Sequence, residues 1–363
     1  MKKYVAMRIG IIAHNKYPLI EPMFGGLEAF TYDIAKGLSA RGHHVTMFGV
    51  EGSCEGFELV PCLSPSILIG TTYDELEFSL RAHHEHLGLM LGIDEFGLDV
   101  IFNNSLHYVP PTMASMIRTP MLTVLHTPPI PELTQAYRHP NVGGYLCSPS
   151  CANAQTWEGL IQQCEIIPNA VDLDLWKPRG AKSAHAIWSG RIVPEKGLHL
   201  AIKATNAADV TLRIAGPISA PLYFEQFIQP LLDSGATYIG HLSRSQLAME
   251  VANASVAVIT PRWSEPFGLV VAEAIASGTP VAGFRRGALT ELVTPDVGVL
   301  AEPDDVQGLA QAITSARRLC SASCRSQAQR RWAFDLHVSR YEAALAVVAR
   351  QSSQVGRRPP GNG

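Results

Sequence analysis

The stretch RWSEPFGLVVAEAIASGTP, residues 262–280, sets two carboxylates, Glu265 and Glu273, eight positions apart. Around Glu273 the chain is almost wholly apolar until Gly278 and Pro280 stop it. Such a run reads as a buried helix over 267–277, with Ser264 as its N-cap and Pro266 in its first turn, where a missing N–H costs nothing. An unpartnered buried carboxylate costs on the order of several kcal/mol. Glu273 is therefore expected to meet either an ion-pair partner or the hydroxyl groups of a ligand. As helix, eight residues cover about 12 Å, so Glu265 and Glu273 could contact different parts of one extended ligand. Gly268, near the helix start, lets backbone N–H groups approach an anion.

Three further clusters have types and spacing suited to chemistry. In WSGRIVPEKGLHLAI (188–202), a strand runs into Gly190 and Arg191, and Lys196 with Gly197 opens the next helix. Two cations at a strand-to-helix turn suit a pyrophosphate, although surface pairs of this kind are common. MFGGLE (23–28) places Gly25 and Gly26 at a helix N-terminus, where backbone can approach phosphate or sugar. It is not a GxGxxG motif, and no acidic residue ends the second strand, which argues against a dinucleotide cofactor. In LTVLHTPP (122–129), His126 directly follows a buried strand, either as a site residue or as a satisfied structural histidine.

The elements that must position these residues alternate. Apolar, β-branched runs at 5–12, 45–48, 100–102, 121–125, 144–147 and 165–167 read as strands, as do 186–188, 211–215, 237–239, 256–259, 281–283 and 298–300. Helical patterns fall between them, including Leu27, Phe30, Ile34 and Leu38 before Gly42, and segments near 197–207, 221–233, 244–253 and 305–318. The alternation predicts an α/β protein with two doubly wound parallel-sheet domains, joined by a linker at 177–185. Such sheets bind ligands outside the carboxyl ends of their strands. Two domains facing each other would merge those crevices into one cleft. A long helical pattern over 325–350 precedes a tail, 351–363, expected to be disordered.

At 363 residues, 47% hydrophobic and 17% charged, the chain supports two cores. Its net charge of −3 argues against a nucleic-acid binder. The halves differ, however. Residues 1–178 carry 10 Lys/Arg against 18 Asp/Glu, whereas 179–363 carry 19 against 14. The second half is thus suited to an anion. The seven cysteines form no four-ligand set and read as free thiols. The opening MKKYVAMRIGIIAH resembles a signal peptide, but Arg8 interrupts it and it reads as a first strand. Without a membrane span, the expected location is cytoplasmic.

Together these residues resemble the retaining glycosyltransferases of family 4, which have the GT-B fold. The family's Glu-x7-Glu signature reads as Glu265 to Glu273, and its Gly-Arg…Lys-Gly donor-phosphate motif as Gly190-Arg191 and Lys196-Gly197. Its N-terminal Gly-Gly loop matches Gly25 and Gly26, and its cleft histidine matches His126. Its Pro-Asn-Gly-Val-Asp segment appears at 168–172 with Ala170 in place of glycine. The resemblance implies that Arg191 and Lys196 hold the donor diphosphate and that Glu273 accepts from the ribose hydroxyls. It places Glu265 on the 3- and 4-hydroxyl side of the donor sugar and His126 at the 6-hydroxyl. Backbone at Phe267, Gly268, Leu269 and Gly26 would contact sugar or phosphate, with Gly25, Gly190 and Gly216 in the same donor set. It further implies domains at 1–178 and 179–329, with a helix near 330–350 crossing back onto the first. The implied reaction is hexosyl transfer from a nucleotide-diphosphate sugar with retention, UDP-glucose being the commonest donor. No cofactor beyond that substrate is expected, and no metal, since no Asp-x-Asp motif stands in a suitable loop.

The acceptor should bind the first half. Membrane-acting relatives often carry a basic amphipathic helix there, but in this chain acidic residues of 71–92 outnumber the one arginine. The segment would be repelled by anionic lipid, which favours a small soluble acceptor, such as a pterin or a natural-product-like metabolite, over a lipid or polysaccharide precursor. A monomer or homodimer is expected. His83, His84 and His86 cannot all face one site on a helix, and are read as a solvated face and not a metal site. A hydrolysing nucleotide-sugar 2-epimerase would share the architecture but needs acid and base carboxylates that the sequence does not place.

Overall fold

The structure is a computed structural model that describes residues 5–53, 56–64, 72–139 and 142–355. The final part of the expected tail, 356–363, and Cys54 lie outside the described residues. The first sheet contains β1 (Arg8–Ile12), β2 (His44–Val50), β3 (Glu58–Leu63), β4 (Val100–Asn103), β5 (Met121–Val124), β6 (Tyr145–Ser148) and β7 (Glu165–Ile166). Its order is β3-β2-β1-β4-β5-β6-β7. The second contains β8 (Ala186–Ser189), β9 (Leu212–Ala215), β10 (Ala236–Tyr238), β11 (Val256–Ile259), β12 (Val281–Phe284) and β13 (Gly298–Ala301), ordered β10-β9-β8-β11-β12-β13. Neighbouring strands are parallel throughout. In both sheets the order reverses beside the first strand, which is the switch point where α/β sheets place their ligands.

Central strands such as β4, β5 and β12 are buried along their whole length, because helices cover both faces of a parallel sheet. That is why they stand out as apolar runs. The strand β3 was not anticipated. It lies at the edge, is half-exposed and contains Pro61, which has no N–H to donate and is therefore tolerated at a sheet edge. The segment expected as one helix over 221–233 is instead a short α turn, a π turn (Phe224–Ile228) and a 3-10 helix (Gln229–Ser234). Pro230 at the start of the last piece removes the N–H that an α-helix would use.

The C-terminal helical pattern is two helices. Ser321–Arg331 packs on the second half, with Cys324, Ala328 and Trp332 in a core with Val271 and Ile275. Phe334–Val355 packs on the first, where Val338, Tyr341 and Leu345 join Ile11, Phe102 and Val124. Between them the chain pairs with the 168–172 segment, as Val171 N donates to Trp332 O at 3.1 Å. Ala170, where the family usually has glycine, has no positive φ, so alanine fits without strain.

The three histidines are not a solvated face. His84 is exposed, but His86 is fully buried and stacks on His107 with centroids 4.0 Å apart. His83 Nδ1 meets the Tyr108 hydroxyl at 2.7 Å. Burial lowers the pKa of His86 to about 4 and of His107 to about 3, so both rings are neutral and pack as flat aromatic groups. Ala82, His86, Met90 and Ile93 form the buried stripe of the Thr72–Gly92 helix and its continuation. Among the described residues no helix is long and apolar enough to cross a membrane, and no His/Cys/Asp/Glu group is arranged to hold a metal. Among the described residues all six cysteines are free.

Candidate active site

A cleft of about 390 Å³ runs between the carboxyl ends of the two sheets. Gly25, Gly26, His126, Gly190, Arg191, Lys196, Gly216, Glu265, Phe267, Gly268, Leu269 and Glu273 all line it. They arrive there because each follows a strand. The chain leaves β1 through a loop ending at Gly25, which caps the Gly26–Ala40 helix, and leaves β5 at His126. On the other side it leaves β8 at Gly190 and Arg191, β9 at Gly216 and β11 toward Glu265. An ideal Cβ on Gly25 would lie 3.9 Å from Arg191 Nε, so the two halves approach each other at the loop glycine.

Gly216 shows why this wall must be backbone. Its φ is +140°, and an added Cβ would lie 1.9 Å from Gly190 O, a collision with main chain that cannot move aside. The ends of β8 and β9 therefore offer a side-chain-free surface to a ligand.

The helix after β11 starts later than the sequence suggests. Gly268 is its N-cap with φ +84°, and the helix spans Leu269–Ala276. Ser264 and Pro266 belong to the preceding loop, so they neither cap nor open it. The loop is fixed from outside, with Ala288 N donating to Glu265 O at 2.8 Å and Ser150 Oγ donating to Pro266 O at 2.6 Å. A left-handed residue cannot continue a helix, so the separation of Glu265 and Glu273 is not an eight-residue helical rise.

The two carboxylates have different surroundings. Glu265 Oε2 accepts from Lys196 Nζ at 2.6 Å and from Trp263 Nε1 at 2.9 Å. The Lys196 ammonium also lies 5.1 Å from the centre of the Trp263 ring, within cation–π range. Lys196 and Glu265, assigned by resemblance to phosphate and sugar, are thus already paired with each other. Glu273, by contrast, forms no ion pair among the described residues. Burial raises its pKa to about 7, against a lowering by Arg244, while Asp33 adds to the rise. Arg244 is itself committed to Asp33 in a two-bond pair at 2.7 and 2.8 Å. Of the two expectations for Glu273, the ligand-facing one fits this geometry.

His126 Nε2 meets Asn104 Oδ1 at 2.8 Å, and its ring stands edge-on to Phe30 with centroids 4.8 Å apart. With a carbonyl oxygen as partner, Nε2 carries the proton and Nδ1 is an acceptor. Burial lowers the pKa of His126 to about 3, so the ring is neutral and polarises or hydrogen-bonds without exchanging protons near neutrality.

Several cleft residues were not picked out from sequence. Glu28 is buried, with His14 Nδ1 3.7 Å from its carboxylate. Although burial opposes it, the charges of His14 and Arg191 and its own backbone N–H together hold its pKa below the usual value. Tyr17 stacks on Phe24 with centroids 4.0 Å apart. Trp263 stands two positions before Glu265, and a donor so placed was a readable signal. Arg244 and Asp33 carried none, because their meeting depends on how the halves pack. Further links join the halves: Cys151 N donates to Glu291 Oε2 at 3.2 Å, Ala152 N donates to Glu291 Oε1, and His241 Nε2 meets Met23 O at 3.1 Å. In the Asp172-Leu173-Asp174 triplet, Asp172 Oδ1 receives Asp174 N and Leu175 N.

Two doubly wound halves enclosing a cleft with paired cations, glycine turns and two carboxylates define the GT-B class of transferases. Two family models match, Glycosyltransferase Family 4 over residues 24–175 and Glycosyl transferases group 1 over residues 177–324. The chain belongs to glycosyltransferase family 4. A glycogen synthase of Mycobacterium tuberculosis is 26% identical over 85% of this chain and 86% of its own length. A D-inositol 3-phosphate glycosyltransferase of Mycolicibacterium smegmatis is 30% identical over 54% of this chain and 49% of its own. The solved structure of Anabaena Alr3699/HepE in complex with UDP-glucose has a TM-score of 0.72 at 20% identity, covering 94% of this chain and all of that one.

Proposed function

We propose that this glycosyltransferase moves a hexosyl group from a nucleotide-diphosphate sugar, UDP-glucose first, to a hydroxyl of a small soluble acceptor, with retention at the anomeric carbon. The observation that carries the reading is the convergence of Arg191, Lys196, Glu265 and Glu273 on one cleft beside the side-chain-free Gly190–Gly216 wall. Arg191 and Lys196 neutralise the departing diphosphate, a fixed electrostatic stabilisation of charge that grows in the transition state. Glu273 accepts from ribose hydroxyls and Glu265 from the sugar, while His126 binds the 6-hydroxyl as a neutral group. The bond from C1 to the phosphate oxygen breaks, the acceptor oxygen bonds to C1 on the same face, and its proton passes to the leaving phosphate. Support for this route comes from Glu265, whose Oε2 is tied to Lys196 and Trp263, and from His126, which does not titrate near neutrality. Neither makes a good enzyme nucleophile or base. The reaction needs no metal or cofactor on this reading, and it belongs in the cytoplasm.

One observation favours a second acceptor class. Leu76, Leu80 and Leu91 on the Thr72–Gly92 helix are 58%, 54% and 73% exposed, an apolar feature that a lipid-linked acceptor could use. A thermal-shift panel of UDP-, GDP- and ADP-sugars tests the donor, since a ligand at 100 times its Kd stabilises by about 2.7 kcal/mol. Co-sedimentation with phosphatidylglycerol vesicles separates the acceptor classes: the soluble-acceptor reading expects no binding. The anomeric coupling constant of the product then reports retention or inversion.

A further inference from the structure

Arg244 is placed where a helix disfavours a cation. It is the first residue of the Arg244–Asn253 helix, whose N-terminus is closed by a capping box between Ser243 and Gln246. A positive charge there opposes the helix dipole, so its position answers to something outside the helix. That partner is Asp33, on the Gly26–Ala40 helix of the other half. Arg244 Nη1 donates to Oδ1 at 2.8 Å and Nη2 to Oδ2 at 2.7 Å, with side chains only 16% and 24% exposed. Parallel, charge-assisted bonds of this kind are strong and directional.

Glu273 lines the same small recess as Asp33 and Arg244. Its other neighbours there leave it little help. His337, from the Phe334–Val355 helix, is neutral because burial lowers its pKa to about 4. Phe30 and Leu269 are apolar, Trp176 Nε1 makes no hydrogen bond among the described residues, and Glu21 acts on Arg244 with the same sign as Asp33. One guanidinium therefore serves two carboxylates, and those carboxylates belong to opposite halves of the molecule.

We propose that Asp33 and Arg244 are positioning residues for Glu273, so that closing the cleft, by giving Arg244 to Asp33, sets the charge of Glu273 and couples closure to nucleotide binding through one proton. The inference rests on the nucleotide site proposed above. In the closed, empty cleft, Glu273 meets both desolvation and the charge of Asp33, and holds a proton part of the time near pH 7. When the halves part, Asp33 leaves with its own helix while Arg244 stays with Glu273, which ionises. Ribose hydroxyls donate to the ionised carboxylate. Binding to the closed form thus breaks the carboxyl O–H bond, sends the proton to the buffer and puts ribose hydrogen bonds in its place.

Calorimetry of UDP binding to the full chain at pH 7, in two buffers of different ionisation enthalpy, counts protons released. Asp33 does not line the cleft that holds the proposed nucleotide site, so a purely structural role would leave that count unchanged. Wild type is expected to release more protons than Asp33→Asn, in which Arg244, freed from its partner, turns to Glu273 and keeps it ionised in the empty cleft. The phosphate of UDP titrates alike in both and cancels. Equal release by the two overturns the proposal. Small-angle scattering of the ligand-free chains gives a readout that needs no nucleotide: Asp33→Asn and Arg244→Gln should both have a larger radius of gyration than wild type at pH 6. Unchanged radii overturn the clasp. A wild type that binds no UDP, GDP or ADP, while Asp33→Asn expands, refutes the nucleotide reading and supports the clasp.

Discussion

Lys196→Ala separates two roles that one side chain plays. In the empty site Lys196 neutralises Glu265 at 2.6 Å, with side chains 22% and 12% exposed. Removing one partner of a fully buried ion pair costs roughly 3–5 kcal/mol. Here Trp263 Nε1 still donates to Glu265 and the cleft admits water, so a loss of about 1–2 kcal/mol is expected, which lowers Tm by about 2–8 °C. In the proposed reaction the same ammonium would stabilise the departing diphosphate, and losing one such group costs about 2.7–4 kcal/mol of barrier, or at least ~100-fold in turnover. The double variant Lys196→Ala/Glu265→Gln distinguishes the two. It removes the orphaned carboxylate, so Tm should recover most of the loss, while turnover stays at or below that of the single variant. Calorimetric melting and single-turnover release of UDP from UDP-glucose measure both. Turnover of Lys196→Ala within about 3-fold of wild type would remove Lys196 from the phosphate site. A double variant that melts lower than Lys196→Ala would show that Glu265 is held by something other than this pair.

Arg191→Ala should also lower turnover by at least ~100-fold with little change in Tm, because no folded-state ion pair depends on it among the described residues; near-wild-type turnover refutes its role. Glu273→Gln should weaken UDP binding, measured by calorimetry at pH 8, by about 10-fold or more, the scale of a charge-assisted hydrogen bond; unchanged affinity refutes the ribose assignment. Burial raises the folded pKa of Glu273 to about 7, above its unfolded value. Its stabilising protonation is therefore complete at acid pH and lost as pH rises through about 7. Ligand-free wild type should fall in Tm relative to Glu273→Gln between pH 5 and pH 8, and parallel Tm curves contradict the burial argument. Gly216→Ala meets Gly190 O at 1.9 Å with φ +140°, so Tm should drop by the equivalent of about 3 kcal/mol or more and donor binding should be lost. A wild-type melting curve would show that the wall is not rigid.

What could be read from sequence follows from where each signal is stored. Arg191, Lys196 and Glu265 were legible because each sits just after a strand, and strands buried on both faces announce themselves as apolar runs. The edge strand β3 did not, since its exposure pattern and Pro61 resemble a loop. His86 was misread because three histidines look hydrophilic, yet Ala82, His86, Met90 and Ile93 fall at helical spacing and the stripe was there to be counted. The start of the Leu269–Ala276 helix was misplaced for a subtler reason. Ser264 and Pro266 have the composition of a helix start, but Gly268, left-handed at φ +84°, is where the helix begins. The pairings Lys196–Glu265 and Asp33–Arg244 join residues 69 and 211 positions apart, and no local pattern contains them.

These two pairings also change the chemical reading of the Glu-x7-Glu stretch. From sequence, Glu265 and Glu273 were hydroxyl acceptors for two parts of one extended ligand, Glu273 for the ribose and Glu265 for the sugar. In the fold, Glu265 is tied to Lys196, so on the proposed function the arrival of the diphosphate, by drawing Lys196 away, frees Oε2 for the sugar. Glu273 is governed by the opposite half of the molecule through Arg244, so its readiness for ribose depends on closure. Oε2 of Glu265 is thus free when the diphosphate is in place, and Glu273 is charged when the other half withdraws or the ribose binds. Isolated mutation of either should therefore shift donor affinity and turnover together, and a donor fragment lacking the diphosphate should bind Glu265 poorly. Uridine and glucose offered separately, and even together, should bind far more weakly than UDP-glucose; calorimetric affinities that merely sum would refute this interdependence.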